Sequence, residues 1–283
     1  MIDLDFLKQL DRFSIIVNKR ITSSFSGERK TPFRGKGLVF KDFTMYAPGE
    51  DIRTIDWRVY ARTNKLFVKR YEEERNLVIH IVLDFSSSMK FGKQVKKAEY
   101  ASMLGMGFAY LAMKNNEKFV LSTFSDKLEL FRPRKGRRQL ATIFSYLSEK
   151  EPKGLSKFEE SLAKYKKLIT SKSLVVIISD FLYNPEEIKN TLYRLKHHEI
   201  KLIQVLDPVE VDLNLEGDYK LKDSETGQLM QTYISPYLRK RYQGQLGEHN
   251  AKIEQACSDV RARFFSVSTD MKLFDAFFKV CVG

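Results

Sequence analysis

Cysteine is nearly absent. Only Cys257 and Cys281 occur in 283 residues, both near the C-terminus. Two isolated thiols make neither a disulfide framework nor a zinc site, so the core must come from packing, and a reducing compartment is expected. No stretch reaches the roughly 18 to 20 uninterrupted apolar residues of a spanning helix. Met1 to Leu10 carry Asp3, Asp5 and Lys8, and no apolar core of signal-peptide type follows. The expected location is therefore cytoplasmic. Phosphate cradles are missing too: there is neither a G-x-x-x-x-G-K-[ST] loop nor a G-x-G-x-x-G turn after a strand. Nor is there a G-x-S-x-G elbow. Histidine is confined to His80, His197, His198 and His249. His80 sits inside an apolar strand and His197 and His198 close a helix, so none suggests a general base. An enzyme is not expected.

What is present is ordinary globular material with an excess of positive charge. Hydrophobic residues make up 43% and charged residues 30%, which excludes disorder, collagen and coiled coil for the chain as a whole. Lys and Arg outnumber Asp and Glu by 49 to 36, a net +13. An acidic partner, an anionic membrane surface or nucleic acid would each suit that balance.

The texture changes near residue 75. Phe6, Leu7, Leu10, Phe13, Ile16 and Val17 recur at roughly helical spacing, which predicts a short opening helix. From Gly35 to Tyr71, aromatic and β-branched residues broken by Gly37, Pro48 and Gly49 predict short strands and turns. Beyond Glu74, strands alternate with helices. Strands are expected at 77–83, 118–124, 128–131, 174–178, 200–206 and 262–267. Helices are expected at 94–113, 138–147, 157–168, 185–196, 235–260 and 271–278. Leu174 to Ile178 is wholly apolar, the pattern of a strand buried on both faces. Such alternation implies an α/β fold with a mainly parallel sheet flanked by helices. Tyr219–Leu221 and Leu229–Tyr233 flank Asp223-Ser224-Glu225-Thr226-Gly227, a β-hairpin insert within about 208–234. Two regions are expected: an N-terminal helix and β-rich segment at 1–75, and an α/β domain at 76–283.

Chemistry gathers at strand ends. The apolar strand 77–83 runs into Asp84, Ser86 and Ser88, a D-x-S-x-S. Ligands of open α/β sheets collect outside the carboxyl ends of the strands. Three oxygen-bearing side chains there suit a hard cation such as Mg²⁺, and so low a protein charge leaves the ion free to accept a partner's carboxylate. Ser179-Asp180 ends a second strand, and the loop Pro152-Lys153-Gly154-Leu155-Ser156 offers a further hydroxyl. The competing expectation is that these Ser and Asp residues merely cap helices.

These residues resemble the metal-ion-dependent adhesion site (MIDAS) of von Willebrand factor A (vWA) domains. A longer stretch is more specific. Phe40-Lys41-Asp42-Phe43-Thr44-Met45-Tyr46-Ala47-Pro48-Gly49-Glu50-Asp51-Ile52-Arg53-Thr54-Ile55-Asp56-Trp57 is followed by Ala61-Arg62-Thr63, and then by Leu66 to Arg75. This resembles the bacterial family called domain of unknown function number 58, vWA-like proteins associated with MoxR-type AAA+ ATPases. The resemblance implies a vWA-like fold. It makes Asp84, Ser86, Ser88, Ser156 and Asp180 metal ligands for Mg²⁺ (or Mn²⁺ or Ca²⁺). It also implies a chaperone-like adaptor role with a MoxR-type ATPase toward an unidentified client. Ser156 stands where Thr is usual and Leu155 where a second Gly is common, so weaker or partner-completed metal binding is implied. The alternative is a structural or membrane-peripheral scaffold with a vestigial site.

Asp51, Arg53, Asp56 and Arg62 are expected to pair among themselves and tie the N-terminal segment to the sheet. Trp57 is expected to pack. The densest positive run is Arg132, Arg134, Lys135, Arg137 and Arg138, a surface for an anionic partner or a peripheral membrane contact. Aromatics are not interleaved with its charges, as stacking platforms would need, which argues against nucleic acid. Lys93, Lys96 and Lys97 form a second basic group, and Arg239, Lys240 and Arg241 a third; solvated faces are the plain expectation for each.

Overall fold

The computed structural model describes residues 38–73, 78–222 and 228–282. The expected helix over residues 6–17 lies outside them. The chain divides into two compact units, residues 26–76 and the remainder.

In the smaller unit, β1 (Leu38–Met45) pairs antiparallel with β2 (Phe67–Glu73), with a bulge between Phe40 and Asp42. A 3₁₀ turn, Ile52–Thr54, and helix α1 (Trp57–Thr63) connect them. Asp51 and Asp56 act locally. Asp51 accepts from the Arg53 N–H at 3.0 Å, and Asp56 caps α1 by accepting from the Arg58 N–H at 2.9 Å. Lys69 reaches the Asp56 carboxylate at 2.8 Å and, by that hydrogen bond first, holds it below its usual pKa. Within the smaller unit, capping and one ion pair with Lys69 thus engage Asp51 and Asp56. Trp57 differs from expectation. As the first residue of α1 it is 56% exposed, its ring edge-on to Tyr60 at 6.0 Å.

The larger unit is a six-stranded sheet between helical layers. Its strands are β3 (Val78–Asp84), β4 (Lys118–Phe124), β5 (Leu128–Leu130), β6 (Leu174–Ser179), β7 (Glu199–Leu206) and β10 (Arg263–Ser268). Their order is β10-β7-β6-β3-β4-β5, all parallel except the edge strand β5. Counted within the unit this is the order 3-2-1-4-5-6, with its reversal between β3 and β6. The helices are α2 (Lys97–Lys114), α3 (Arg137–Glu149), α4 (Phe158–Lys166), α5 (Pro185–Leu195), α6 (Pro208–Asp212), α7 (Pro236–Asp259) and α8 (Leu273–Val282). Alternation along the strands divides the core. Ile79, Ile81 and Leu83 pack with α2 and α8, whereas Val82, Val175 and Ile177 pack with α4, α5 and α7. α2 covers the centre and is buried nearly all round. A Cβ on its Gly107 would meet the Phe277 ring at 2.7 Å, so only glycine lets α2 and α8 approach so closely. The expected insert is the antiparallel pair β8 (Gly217–Lys222) and β9 (Leu229–Ile234). Among the described residues no helix is long and apolar enough to cross a membrane.

His80 is a core residue, as its strand context implies: 4% exposed, with Nδ1 2.8 Å from Tyr165 Oη. Burial first, and the nearby His198 second, push its pKa down to about 4 from 6.5. An unfolded chain therefore takes up this proton at higher pH than the folded one. The stabilising contribution is complete above pH 6.5 and is lost as pH falls toward 4. The unfolding free energies of wild type and His80→Gln should differ by about 3 kcal/mol less at pH 4 than at pH 7, read from urea titrations.

Candidate metal centre

The reversal in strand order places two strand ends side by side. β3 delivers Asp84 and β6 delivers Ser179 and Asp180 to the crevice where open α/β sheets collect ligands. The Ser156 loop is stitched to the D-x-S-x-S loop through its backbone. The Lys153 N–H donates to the Phe85 carbonyl at 2.8 Å and the Ser87 N–H to the Gly154 carbonyl at 2.9 Å. Gly154 sits at φ +84° with Asp126 close by, so a side chain there would be strained and would clash.

Asp84 is fully buried. Its Oδ1 accepts from the Ser86 N–H at 2.8 Å; its Oδ2 accepts from Ser179 Oγ at 2.8 Å and from the Tyr183 hydroxyl. Ser86 Oγ and Ser88 Oγ lie 3.1 Å apart. Ser156 Oγ donates to Tyr183 Oη at 2.9 Å, and Ser179 Oγ lies 2.7 Å from the same phenol. Four of the five expected residues thus converge, Ser156 by way of Tyr183.

The fifth, Asp180, is turned to another task. Its Oδ2 holds the Lys97 ammonium at 2.9 Å, and Lys97 also reaches Glu210 Oε1 at 2.7 Å. Lys97 has no exposed surface, which corrects the expectation of a solvated basic face; its neighbours Lys93 and Lys96 are exposed. Burial works against the ammonium, yet Asp180 and Glu210 outweigh it and raise its pKa. Glu210 is raised by its own burial, against the pull of Lys97. Glu210 is held by α6, whose capping box joins the Asp207 side chain and backbone with Glu210.

Lys97 and Ser179 are seen in the sequence but given no place at the site, and Tyr183 and Glu210 are not singled out. Two signals were available. Lys97 shares a helical face with Ala101, Leu104 and Phe108, a face that is otherwise apolar. Asp207-Pro208-Val209-Glu210 has the spacing of a capping box.

The donors around Asp84 fit a hard divalent cation in type. Asp84, Ser86, Ser88 and Ser156 offer oxygen only. The charge balance agrees. Asp84 accepts solely from neutral groups, because the nearby ammonium is taken by Asp180 and Glu210. Burial first and the Asp180 charge second push the Asp84 carboxyl up to about 6, so a positive charge is what this spot lacks. Among the described residues no three His, Cys, Asp or Glu side chains gather as a metal group; the set is mainly hydroxyl.

The family model described as "Protein of unknown function DUF58" matches residues 42–252. The chain belongs to the DUF58 family. Over 266 residues this DUF58 chain is 25% identical to uncharacterized protein Rv1480 of Mycobacterium tuberculosis and to uncharacterized protein Mb1516 of Mycobacterium bovis. Each alignment covers 92% of this chain and 84% of the relative. Among solved structures it is similar to conserved hypothetical protein BatB of Bacteroides thetaiotaomicron (15% identity, TM-score 0.47, 73% of this chain and 97% of that one). It is similar also to the vWF domain of the type V pili tip protein Mfa5 of Porphyromonas gingivalis (12%, 0.41, 73% and 94%). The larger unit of this DUF58 protein is vWA-like in its own strand order, antiparallel edge and D-x-S-x-S strand end.

The basic run lies elsewhere. Arg132, Arg134, Lys135, Arg137 and Arg138 are all exposed. Their loop is pinned to the start of β4 by paired backbone bonds between Phe119 and Arg134, and Gln139 Nε2 donates to the Arg132 carbonyl. Phe119 pairs with Ile79, five residues before Asp84, or about 16 Å along the strand. Arg239, from the third basic group, clasps the Leu213 and Leu215 carbonyls at the base of the hairpin.

Removing the Lys97 charge strands two carboxylates. Lys97→Met should cost about 3–5 kcal/mol in urea unfolding, and adding Asp180→Asn should recover part of that loss.

Proposed function

We propose that this DUF58 protein is a binding module, not an enzyme, that recognises a partner protein's carboxylate through a divalent cation at the β3–β6 crevice. The observation that carries this reading is the buried Asp84 carboxylate, which accepts only from neutral donors while three serine hydroxyls stand close by. Mg²⁺, Mn²⁺ or Ca²⁺ would be held by Asp84, Ser86, Ser88 and Ser156. When bound, the cation supplies a Lewis-acidic position for a carboxylate oxygen.

The chain's own residues do the rest. The Ser86 N–H and Ser179 hydroxyl orient Asp84. Lys97 holds Asp180 away from the ligand set, so the protein contributes a single carboxylate. A cation with so few anionic ligands keeps a strong attraction for a carboxylate from outside. Metal dependence and partner specificity would then arise from one contact.

The proposal has a second element. By the resemblance drawn from the 40–75 segment, the module acts with a MoxR-type AAA+ ATPase, presenting a client in a chaperone-like step on the cytoplasmic side.

Calorimetric titration with Mg²⁺, Mn²⁺ and Ca²⁺ tests the cation. Saturable binding should be lost in Asp84→Ala while the fold persists. Capture of a cognate MoxR-type ATPase should weaken in chelator and in Asp84→Ala. Full cation affinity in Asp84→Ala would refute the site, and chelator-insensitive capture would favour a scaffold with a vestigial site.

A further inference from the structure

The cation reading of Asp84 leaves Tyr183 unexplained. One phenol oxygen touches two of the proposed ligands: it donates to Asp84 Oδ2 and accepts from Ser156 Oγ at 2.9 Å. Asp84 Oδ2 accepts from both Ser179 Oγ and the phenol, so losing the phenol's bond would free a lone pair on Oδ2 for a cation.

The phenol is there by construction. Phe181, directly after Asp180, adopts φ +50°, a left-handed conformation that a bulky residue rarely takes. This turn is secured from two sides: the Phe181 N–H donates to Ser179 Oγ at 3.1 Å, and the Phe181 carbonyl is 2.7 Å from His249 Nε2. The Tyr183 ring is stacked on Phe158 at 5.1 Å and meets Phe181 edge-on at 6.4 Å. Several elements therefore cooperate to aim one hydroxyl at Asp84.

We propose that the Tyr183 hydroxyl is an internal competitor of the cation: it occupies the seat between Asp84 and Ser156, and a divalent ion binds only as the phenol gives up its hydrogen bond to Asp84. This rests on the cation reading of the preceding subsection and adds its regulation. A protonated phenol is a weak ligand for a hard cation. The ion-free state is thus satisfied by neutral donors, and cation affinity is reduced by the share of molecules in which the phenol holds the seat. A partner carboxylate that binds only the ion-filled state shifts the balance toward it, so cation and partner bind cooperatively.

Tyr183→Phe tests this, because the ring and its stacking remain while the hydroxyl goes. Wild type, Tyr183→Phe and Asp84→Ala, all as the full chain, are titrated with Mn²⁺ and Mg²⁺ by calorimetry and melted in chelator and in excess Mn²⁺. Circular dichroism verifies that each is folded. The expected result is at least about a tenfold gain in cation affinity for Tyr183→Phe, the worth of a hydrogen bond to a charged group. A lower melting temperature in chelator and a larger rise with Mn²⁺ should accompany it. Unchanged affinity in Tyr183→Phe, with binding still lost in Asp84→Ala, would overturn the competitor and leave the cation reading intact. A weaker Tyr183→Phe would overturn it too, by making the phenol a ligand. Binding by neither wild type nor Tyr183→Phe would remove the cation reading, and this proposal with it.

Discussion

The Lys97 ammonium sits where three elements of the sheet's carboxyl edge meet. It comes from the first turn of α2, Asp180 from the end of β6, and Glu210 from α6 beyond the end of β7. An ammonium without exposed surface is tolerable only because two carboxylates hold it, and Asp180, itself almost wholly buried, is tolerable only because of the ammonium. Each partner fixes the others. α2 must start at a set height above β3, and the capping box of α6 must present Glu210 toward Lys97. The distances within the crevice follow from that agreement.

The consequence falls on Asp84. Two acidic side chains end adjacent parallel strands, and one ammonium serves only the second of them. Asp84 is left with neutral donors, a backbone N–H and hydroxyl groups. Burial first and the Asp180 charge second push its carboxyl up to about 6, and the hydrogen bonds from neutral groups offset only part of that rise. On the reading proposed above a cation would meet the remaining demand for positive charge, and in this structure the Tyr183 hydroxyl hydrogen-bonds Asp84 Oδ2. The positive excess of the chain does not help. Its densest run, Arg132 to Arg138, is pinned beside Phe119 at the other end of the strands. Attraction of an anionic partner to that run and coordination at the crevice would be separate events at opposite ends of one sheet.

Much of this was legible in the residues themselves. The apolar run Leu174 to Ile178 could only be a strand with both faces covered, and it is buried throughout. The D-x-S-x-S after Leu83 marked the strand end on which the crevice is built, and the polar residues Asp223 to Gly227 pointed to the antiparallel pairing of β8 with β9. Other readings failed for one reason: a charged or aromatic side chain does not announce its partner. Trp57 is exposed although a lone Trp usually packs, and Asp56 caps its own helix and binds Lys69. Lys97 looked like a member of a basic cluster because Lys93 and Lys96 precede it; the helical phase that turns it inward shows only when Ala101 and Leu104 are counted with it.

Periodicity, turn chemistry and the oxygen-rich strand end are local properties. They depend on residues a few positions apart, and the sequence alone determined the alternating α/β pattern, the hairpin insert and the place where chemistry gathers. The strand order is a property of the assembled sheet, and the pairing of Lys97 with Asp180 and Glu210 and the return of Tyr183 onto Asp84 join residues 83 to 113 positions apart. Only the tertiary structure decided these, because burial and charge pairing are settled by which side chains share a space once the sheet has assembled.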